Sequence, residues 1–243
     1  MPGIEQARDG LAAALEARYG RGGDTPPLPS QVTFDAMVRV VLEEFLDARQ
    51  AALAWEALVE AGLDEAGPIA EADPLELASV WQLAGLKPPA RMGGVVRKLA
   101  MWLVDRHRGD PTALAEVGVD RLREELRQIQ GVGPALTERL LLWGLGREGV
   151  PLDRSGYRIL LRHGWIDPTA DTDELRSTMV QLAQGGRWDD PAGDPRAALA
   201  AVGRWSGWME RVGREFCKPT APRCDRCPLR EALPETGPVE WDA

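Results

Sequence analysis

The chain has 243 residues, 44% of them apolar and 28% charged, with a formal net charge of −9. That size and composition fit a globular protein of one bilobed unit or two small domains. There is no run of about eighteen apolar residues to cross a membrane and no basic-then-apolar leader at Met1-Pro2-Gly3-Ile4-Glu5. The acidic balance argues against a generic basic nucleic-acid binder, so the expectation is a cytoplasmic protein with no membrane partner.

Residues 5–19 read as an amphipathic helix with Leu11, Leu15 and Tyr19 on one side, followed by a Gly/Pro loop over 20–30. A helix over 34–46 sets Phe34, Met37, Val38, Val41, Leu42 and Phe45 at helical spacing. Further helices fall near 51–61, 73–83, 91–107 and 119–130. Leu126 and Ile129 share a face of the last of these, and Gly131 and Gly133 then interrupt it. Both glycines are expected where the backbone needs a positive φ or a close approach. Pro134 suits the first turn of a second helix over 134–145, whose apolar face is Leu136, Leu140 and Leu141. The result is a helix, a tight Gly-Val-Gly hairpin and a helix over 126–141. Its loop amides sit at a helix N-terminus, a place that receives phosphates. An ordinary helix-helix turn has the same three-residue signature.

Asp153 follows twenty residues after Gly133, in Leu152-Asp153-Arg154-Ser155-Gly156-Tyr157-Arg158. On its own terms it is an N-cap for a helix near 157–163. A helix over 172–183, a polar stretch over 184–196 read as a surface insertion, and a long helix over 197–216 complete the chain. No strand alternation and no solenoid repeat is visible, so the fold class is all-α. The nine Trp stand mostly at helical spacing with other apolar residues and are assigned to the core.

Charge is unevenly spread. Acidic residues crowd the segment from Glu43 to Glu76, and arginines gather late, from Arg154, Arg158 and Arg162 to Arg230. Lysine is limited to Lys87, Lys98 and Lys218, which leaves few amines for Schiff-base chemistry. The only cysteines are Cys217, Cys224 and Cys227, packed into eleven residues beside Pro222 and Pro228. This spacing points to a metal or cluster loop rather than a disulfide.

The hairpin, Asp153 at its distance, Tyr157-Arg158 after it and the late cysteines together resemble the endonuclease III branch of the helix-hairpin-helix DNA glycosylases. The order of elements matches over roughly residues 34–230. The resemblance implies a two-lobed helical fold: a lobe over 34–146 containing the hairpin, and a second lobe from 1–33 and 147–243 ending in the cysteine loop 217–233. It implies excision of a flipped, damaged or mismatched base from double-stranded DNA by a monomer, with Asp153 as the catalytic carboxylate. The DNA-contacting positions would be Gly131, Val132, Gly133, Ala135, Arg154 and Arg158.

Three departures from the family pattern stand out. The family's lyase lysine position is Ala135, so a monofunctional glycosylase is expected, with a silent lesion-binding protein and a bifunctional glycosylase/lyase as alternatives. The run Leu42-Glu43-Glu44-Phe45-Leu46-Asp47 stands where members carry a gap-filling Gln, and Phe45 takes its place as a wedge or as core. Glu43 and Glu44 are expected to face a base pocket or solvent. Leu86, in Ala84-Gly85-Leu86-Lys87-Pro88, is the expected minor-groove wedge residue. The fourth family cysteine is Leu233. The loop is therefore read three ways: a [4Fe–4S] or [3Fe–4S] cluster on three cysteines, zinc on three cysteines and one other group, or three packed thiols without a metal.

Overall fold

The computed structural model describes residues 4–21, 25–184 and 194–239, with no side-chain description for residues 4–7 and 184. Residues 185–193 of the expected 184–196 insertion lie outside them. Among the described residues there are eleven α-helices and no strand. None of the helices is long and apolar enough to cross a membrane. Contacts divide the chain into one unit of residues 28–149 and another of residues 1–27 with 150–243. The sequence reading had set the breaks at 33/34 and 146/147.

The 28–149 unit is built around α2 (Phe34–Glu43), which buries Phe34, Met37, Val38, Val40, Val41 and Leu42. Thr33 caps it, its Oγ1 accepting from Ala36 N at 3.2 Å. Around it stand α3 (Ala48–Glu60), α4 (Ala66–Glu71), α5 (Pro74–Leu83) and α6 (Arg91–His107). Asp47 caps α3 and Asp73 caps α5 in the same way. Trp81 on α5 is fully buried and donates to the Ala54 carbonyl of α3 at 3.0 Å. Gly93 lets α6 approach α5: a Cβ there would stand 2.9 Å from the Pro74 carbonyl oxygen.

A 3-10 turn (Pro111–Glu116) leads to α7 (Val119–Gln128), the hairpin and α8 (Pro134–Arg139). The expected second hairpin helix ends differently. Residues Leu140–Gly144 are π-helical, with Leu145 N bonding to Leu140 O at 2.9 Å. Every residue of this Leu-Leu-Leu-Trp-Gly run is buried. Helix α4 and the 3-10 turn escaped the sequence reading because each has six residues and contains Pro.

The other unit packs α1 (Ile4–Tyr19), α9 (Arg154–Arg162), α10 (Thr172–Gln184) and α11 (Pro195–Glu215) around Leu15, Leu160, Met179, Val202, Trp205 and Met209. Six tryptophans are buried, as the spacing suggested: Trp55, Trp81, Trp102, Trp143, Trp205 and Trp208. Trp188 and Trp241 lie outside the described residues.

Candidate functional site

The hairpin is fixed by its backbone. Gly131 has φ +99°, a conformation that costs an L-residue with a Cβ. A Cβ there would also lie 2.6 Å from Cγ2 of Val95 on α6. Val132 is buried, and its amide closes the turn on Ile129 O at 2.9 Å. Gly133 corrects the expectation of a positive φ. It has φ −82° and ψ 175°, ordinary extended backbone, and a Cβ built on it meets nothing within 4 Å. Its role is at the N-terminus of α8, where its carbonyl accepts from Thr137 N and Thr137 Oγ1. Ala135 follows, half-buried.

Beneath the turn, Arg123 of α7 and Glu138 of α8 form a buried ion pair at 2.9 Å. Arg123 also donates to the Glu148 carbonyl at 2.8 Å. Beside the turn, Lys98 of α6 reaches Gln130 Oε1 at 2.7 Å. In sequence Lys98 looked remote from the hairpin. In space it is the amine next to it, because α6 packs Val95 against Gly131 and Lys98 follows one turn later. Nothing in a linear reading signals this.

Two of the other expected contacts move. Leu86 is buried, with 6% exposure. Gly85 (φ +78°) ends α5, and Leu86 N then bonds back to Trp81 O at 2.9 Å, which tucks the leucine into the core. Leu86 is thus not an exposed wedge, and the apolar side chain in solvent at that corner is Leu83, 89% exposed. Phe45 is half-buried under the Arg91 guanidinium, 5.1 Å from its ring centroid. Glu43, just before it, is half-buried and 3.8 Å from Arg139. Burial pushes its carboxyl above the ordinary range, and Arg139 and Arg39 oppose the shift. Glu44 is exposed.

Asp153 is the N-cap of α9, which begins at Arg154, three residues earlier than expected. Its Oδ1 accepts from Gly156 N at 2.8 Å, and Ser155 Oγ donates to Oδ1 and Oδ2 at 2.7 and 2.6 Å. The residue remains exposed. The neighbours leave this turn no slack. A Cβ on Gly213 of α11 would stand 2.2 Å from Ser155 Cβ, and one on Gly156 would stand 2.3 Å from Leu152 Cδ1. Ser155 and Gly213 were not singled out from the sequence, since only the packing of α11 on α9 gives them a role.

The late arginines are largely occupied. Arg154 is exposed, but Arg158 donates from Nε to Cys217 O at 2.9 Å. Arg162 donates to Cys217 Sγ at 3.2 Å, Lys218 O at 2.6 Å and Pro219 O at 3.0 Å. Arg214 pairs with Glu210, and Arg211 lies over the Tyr19 ring. Arg158, read as a DNA contact, is here an anchor of the cysteine loop, because the loop's carbonyls have no helix or strand to satisfy them.

Cys217, Cys224 and Cys227 are free and line one small cavity with Leu233 and His163. Burial pushes the Cys227 thiol up to about 11 and raises that of Cys224. Burial pulls His163 down to about 4, against the opposing bond to Ala232. The cavity's volume is about 10 Å³, room for roughly one water. Leu233 occupies the place of the family's fourth ligand. No set of three or more His, Cys, Asp or Glu among the described residues is gathered closely enough to hold an ion.

The fold matches that of solved helix-hairpin-helix glycosylases. An endonuclease III–DNA complex superposes with TM-score 0.62 over 97% of each chain at 20% identity. An H. pylori 3-methyladenine DNA glycosylase bound to 1,N6-ethenoadenine gives 0.60 over 88% of this chain and 98% of that one, at 18% identity. These likenesses define the class: an all-α protein with the helix-hairpin-helix glycosylase fold. In sequence the chain is 30% identical over 108 residues to endonuclease III of Thermotoga maritima, covering 44% of this chain and 43% of that protein. It is 27% identical over 135 residues to DEMETER-like protein 2 of Arabidopsis thaliana, covering 53% of this chain and 10% of that protein. It therefore spans about half the length, or less, of the curated relatives it matches, and no protein-family model matches it. In fold over most of its length, and in sequence over part of it, the chain is thus similar to endonuclease III and its glycosylase relatives.

Proposed function

We propose that this protein is a monofunctional DNA N-glycosylase that removes a damaged or mismatched base from double-stranded DNA. The observation that carries the reading is Asp153, a carboxylate exposed to solvent yet held in one orientation by Gly156 N and Ser155 Oγ. Breaking an N-glycosidic bond builds positive charge on the sugar, and a fixed carboxylate stabilises that charge. The electron pair of the C1′–N bond leaves with the base, which takes up a proton. Water forms the new C1′–O bond and gives its proton to Asp153, which passes it to solvent. Ala135 stands where the lyase branch carries its lysine, so the strand stays intact and an abasic site remains. The hairpin amides around Gly131 and Gly133 hold the DNA backbone.

Asp153→Asn tests this directly. The amide keeps the cap acceptor but removes the charge, so free-base release from a panel of lesion-bearing duplexes should vanish with the melting temperature nearly unchanged. Full activity in the variant overturns the assignment, and a wild type that binds every duplex but releases nothing makes it a lesion-binding protein. Borohydride should trap no covalent complex. Should one form, Lys98→Ala is the first control and Lys87→Ala the second, given the place of Lys98 beside the turn.

A further inference from the structure

Given the DNA-binding reading proposed above, and without need of base excision, we infer that α6 carries a phosphate-binding row. The row is Arg91 and Lys98, and with Arg127 at the end of α7 it holds the backbone of duplex DNA around the hairpin. The face of α6 that meets the hairpin is marked by Val95, since a Cβ on Gly131 would stand 2.6 Å from its Cγ2. Arg91 lies four residues before Val95 and Lys98 three after it, so all three share one face of the helix. Val95 is buried against the turn, while Arg91 is exposed and Lys98 half-buried to either side of it. Lys98 reaches across to Gln130, the residue before Gly131, at 2.7 Å. Arg127 is exposed in the last turn of α7, four residues before Gly131. Three cations thus stand around a turn whose Gly131 and Gly133 are exposed.

Their partners set these cations apart from the late arginines. Lys98 bonds a neutral amide, and Arg91 lies over the Phe45 ring, 5.1 Å from its centroid. Among the described residues, none of the three is within ion-pair distance of a carboxylate. Arg158 and Arg162, by contrast, give donors to the cysteine loop, and Arg214 pairs with Glu210. Arg91 is also poorly placed for the stability of its own helix. It is the first residue of α6, at the positive end of the macrodipole, and no acidic residue or side-chain cap offsets it there. A guanidinium stacked on a ring still offers its edge to a phosphate. On a chain of net charge −9, long-range attraction to DNA is weak. Binding then depends on a few close contacts, and these three cations supply them beside the hairpin amides.

The test is the salt dependence of binding to a short, undamaged, fluorescein-labelled duplex, read by anisotropy on the full chain. Each phosphate neutralised adds about 0.9 to the slope of log affinity against log salt, or roughly 3- to 4-fold between about 50 and 200 mM. Lys98→Gln, Arg91→Gln and Arg127→Gln should each lower the slope by about 0.9, and the triple variant by about 2.7, with melting temperatures close to the wild type. If the triple variant does not fold, the single variants decide. Lys98→Arg keeps the charge and should keep the slope, and Arg214→Gln should leave it unchanged. The row is overturned if the duplex is not bound or if the wild-type slope persists in the variants. It is equally overturned if Lys98→Arg falls with Lys98→Gln, or if Arg214→Gln lowers the slope as much. A wild type that shows every expected slope yet releases no base from lesion-bearing duplexes overturns the glycosylase reading alone.

Discussion

The hairpin and the cysteine loop are both short, polar and close to helix ends, yet they are held in opposite ways. The hairpin is shaped by its own backbone: a positive φ at Gly131, an amide-to-carbonyl turn at Val132 and an N-terminal proline on α8. Every one of those devices acts between residues within a few positions. The cysteine loop has two three-residue 3-10 turns and is held by side chains from far away. Arg158, Arg162 and His163 reach it across 55 to 69 positions of sequence. A loop coded by local backbone tolerates changes in its surroundings. One coded by distant side chains fails when any of them is removed.

The hairpin also has an ionic support, the Arg123–Glu138 pair, and removing it should give the largest effect. Arg123 and Glu138 are each about nine-tenths buried and join α7 to α8. Arg123→Met should remove the buried guanidinium that bonds Glu138, Asp120 and the Glu148 carbonyl, and cost about 3–5 kcal/mol, measured by denaturant unfolding. A loss of less than about 1 kcal/mol would mean that water reaches Glu138 and the pair is not the anchor.

Backbone control is tested next at Gly131. Gly131→Val combines an unfavourable φ with the contact on Val95, for a cost of about 2–4 kcal/mol. Adding Val95→Ala should recover the packing part and leave the φ part. Gly133→Val, with ordinary φ and open space around it, should unfold almost like the wild type while weakening DNA binding at fixed salt. Equal stability losses at both glycines would erase the distinction between them.

This contrast also explains how far the sequence could be read. Helix spacing was legible, as at Phe34, Met37, Val38 and Val41, because burial of one face repeats every three or four residues. The Gly-Val-Gly hairpin and the cap at Asp153 were legible because their chemistry is local. Gly133 was misread because two glycines in one turn look alike until their dihedrals are known. Leu86 was misread because a helix-ending glycine folds the next apolar residue inward, and its placement depends on Trp81 O. The proximity of Lys98 to Gln130 and of His163 to the cysteines was invisible, since both contacts depend on how helices pack. The bonds of Arg158 and Arg162 to the cysteine loop were equally invisible, because a sequence counts charges but not their partners.

For the cysteine loop the matching break is Arg162→Gln, which removes the donors to Cys217 Sγ, Lys218 O and Pro219 O. These carbonyls are partly open to water, so the global loss should be only about 1–2 kcal/mol. The local effect should be greater. The amides of Cys217 and Arg223, bonded to Val212 O and Phe216 O, should exchange much faster in the variant. Exchange unchanged at both amides would show that the loop holds itself, as the hairpin does.

The smallest effect is expected at Glu43, where burial and a weak ion pair compete. Its carboxyl is raised by burial first, with Arg139 and Arg39 pulling the other way. A raised value in the folded state means that the fold prefers the neutral acid. The stabilising contribution is complete below the ordinary carboxylate range and is lost as the pH rises through the raised value, so at pH 7 the charged group is a net cost. The Arg139 contact at 3.8 Å is too long for a direct hydrogen bond and recovers only part of that cost. Glu43→Gln, neutral at every pH and nearly the same shape, should therefore melt slightly higher than the wild type at pH 7. The gap should close as the pH falls into the carboxylate range, where the wild-type group becomes neutral too. A Gln variant that melts lower at pH 7, with the deficit shrinking in acid, would show that the Arg139 pair outweighs burial. Helix α8 would then carry an ionic anchor at its far end as well, beyond the Arg123–Glu138 pair.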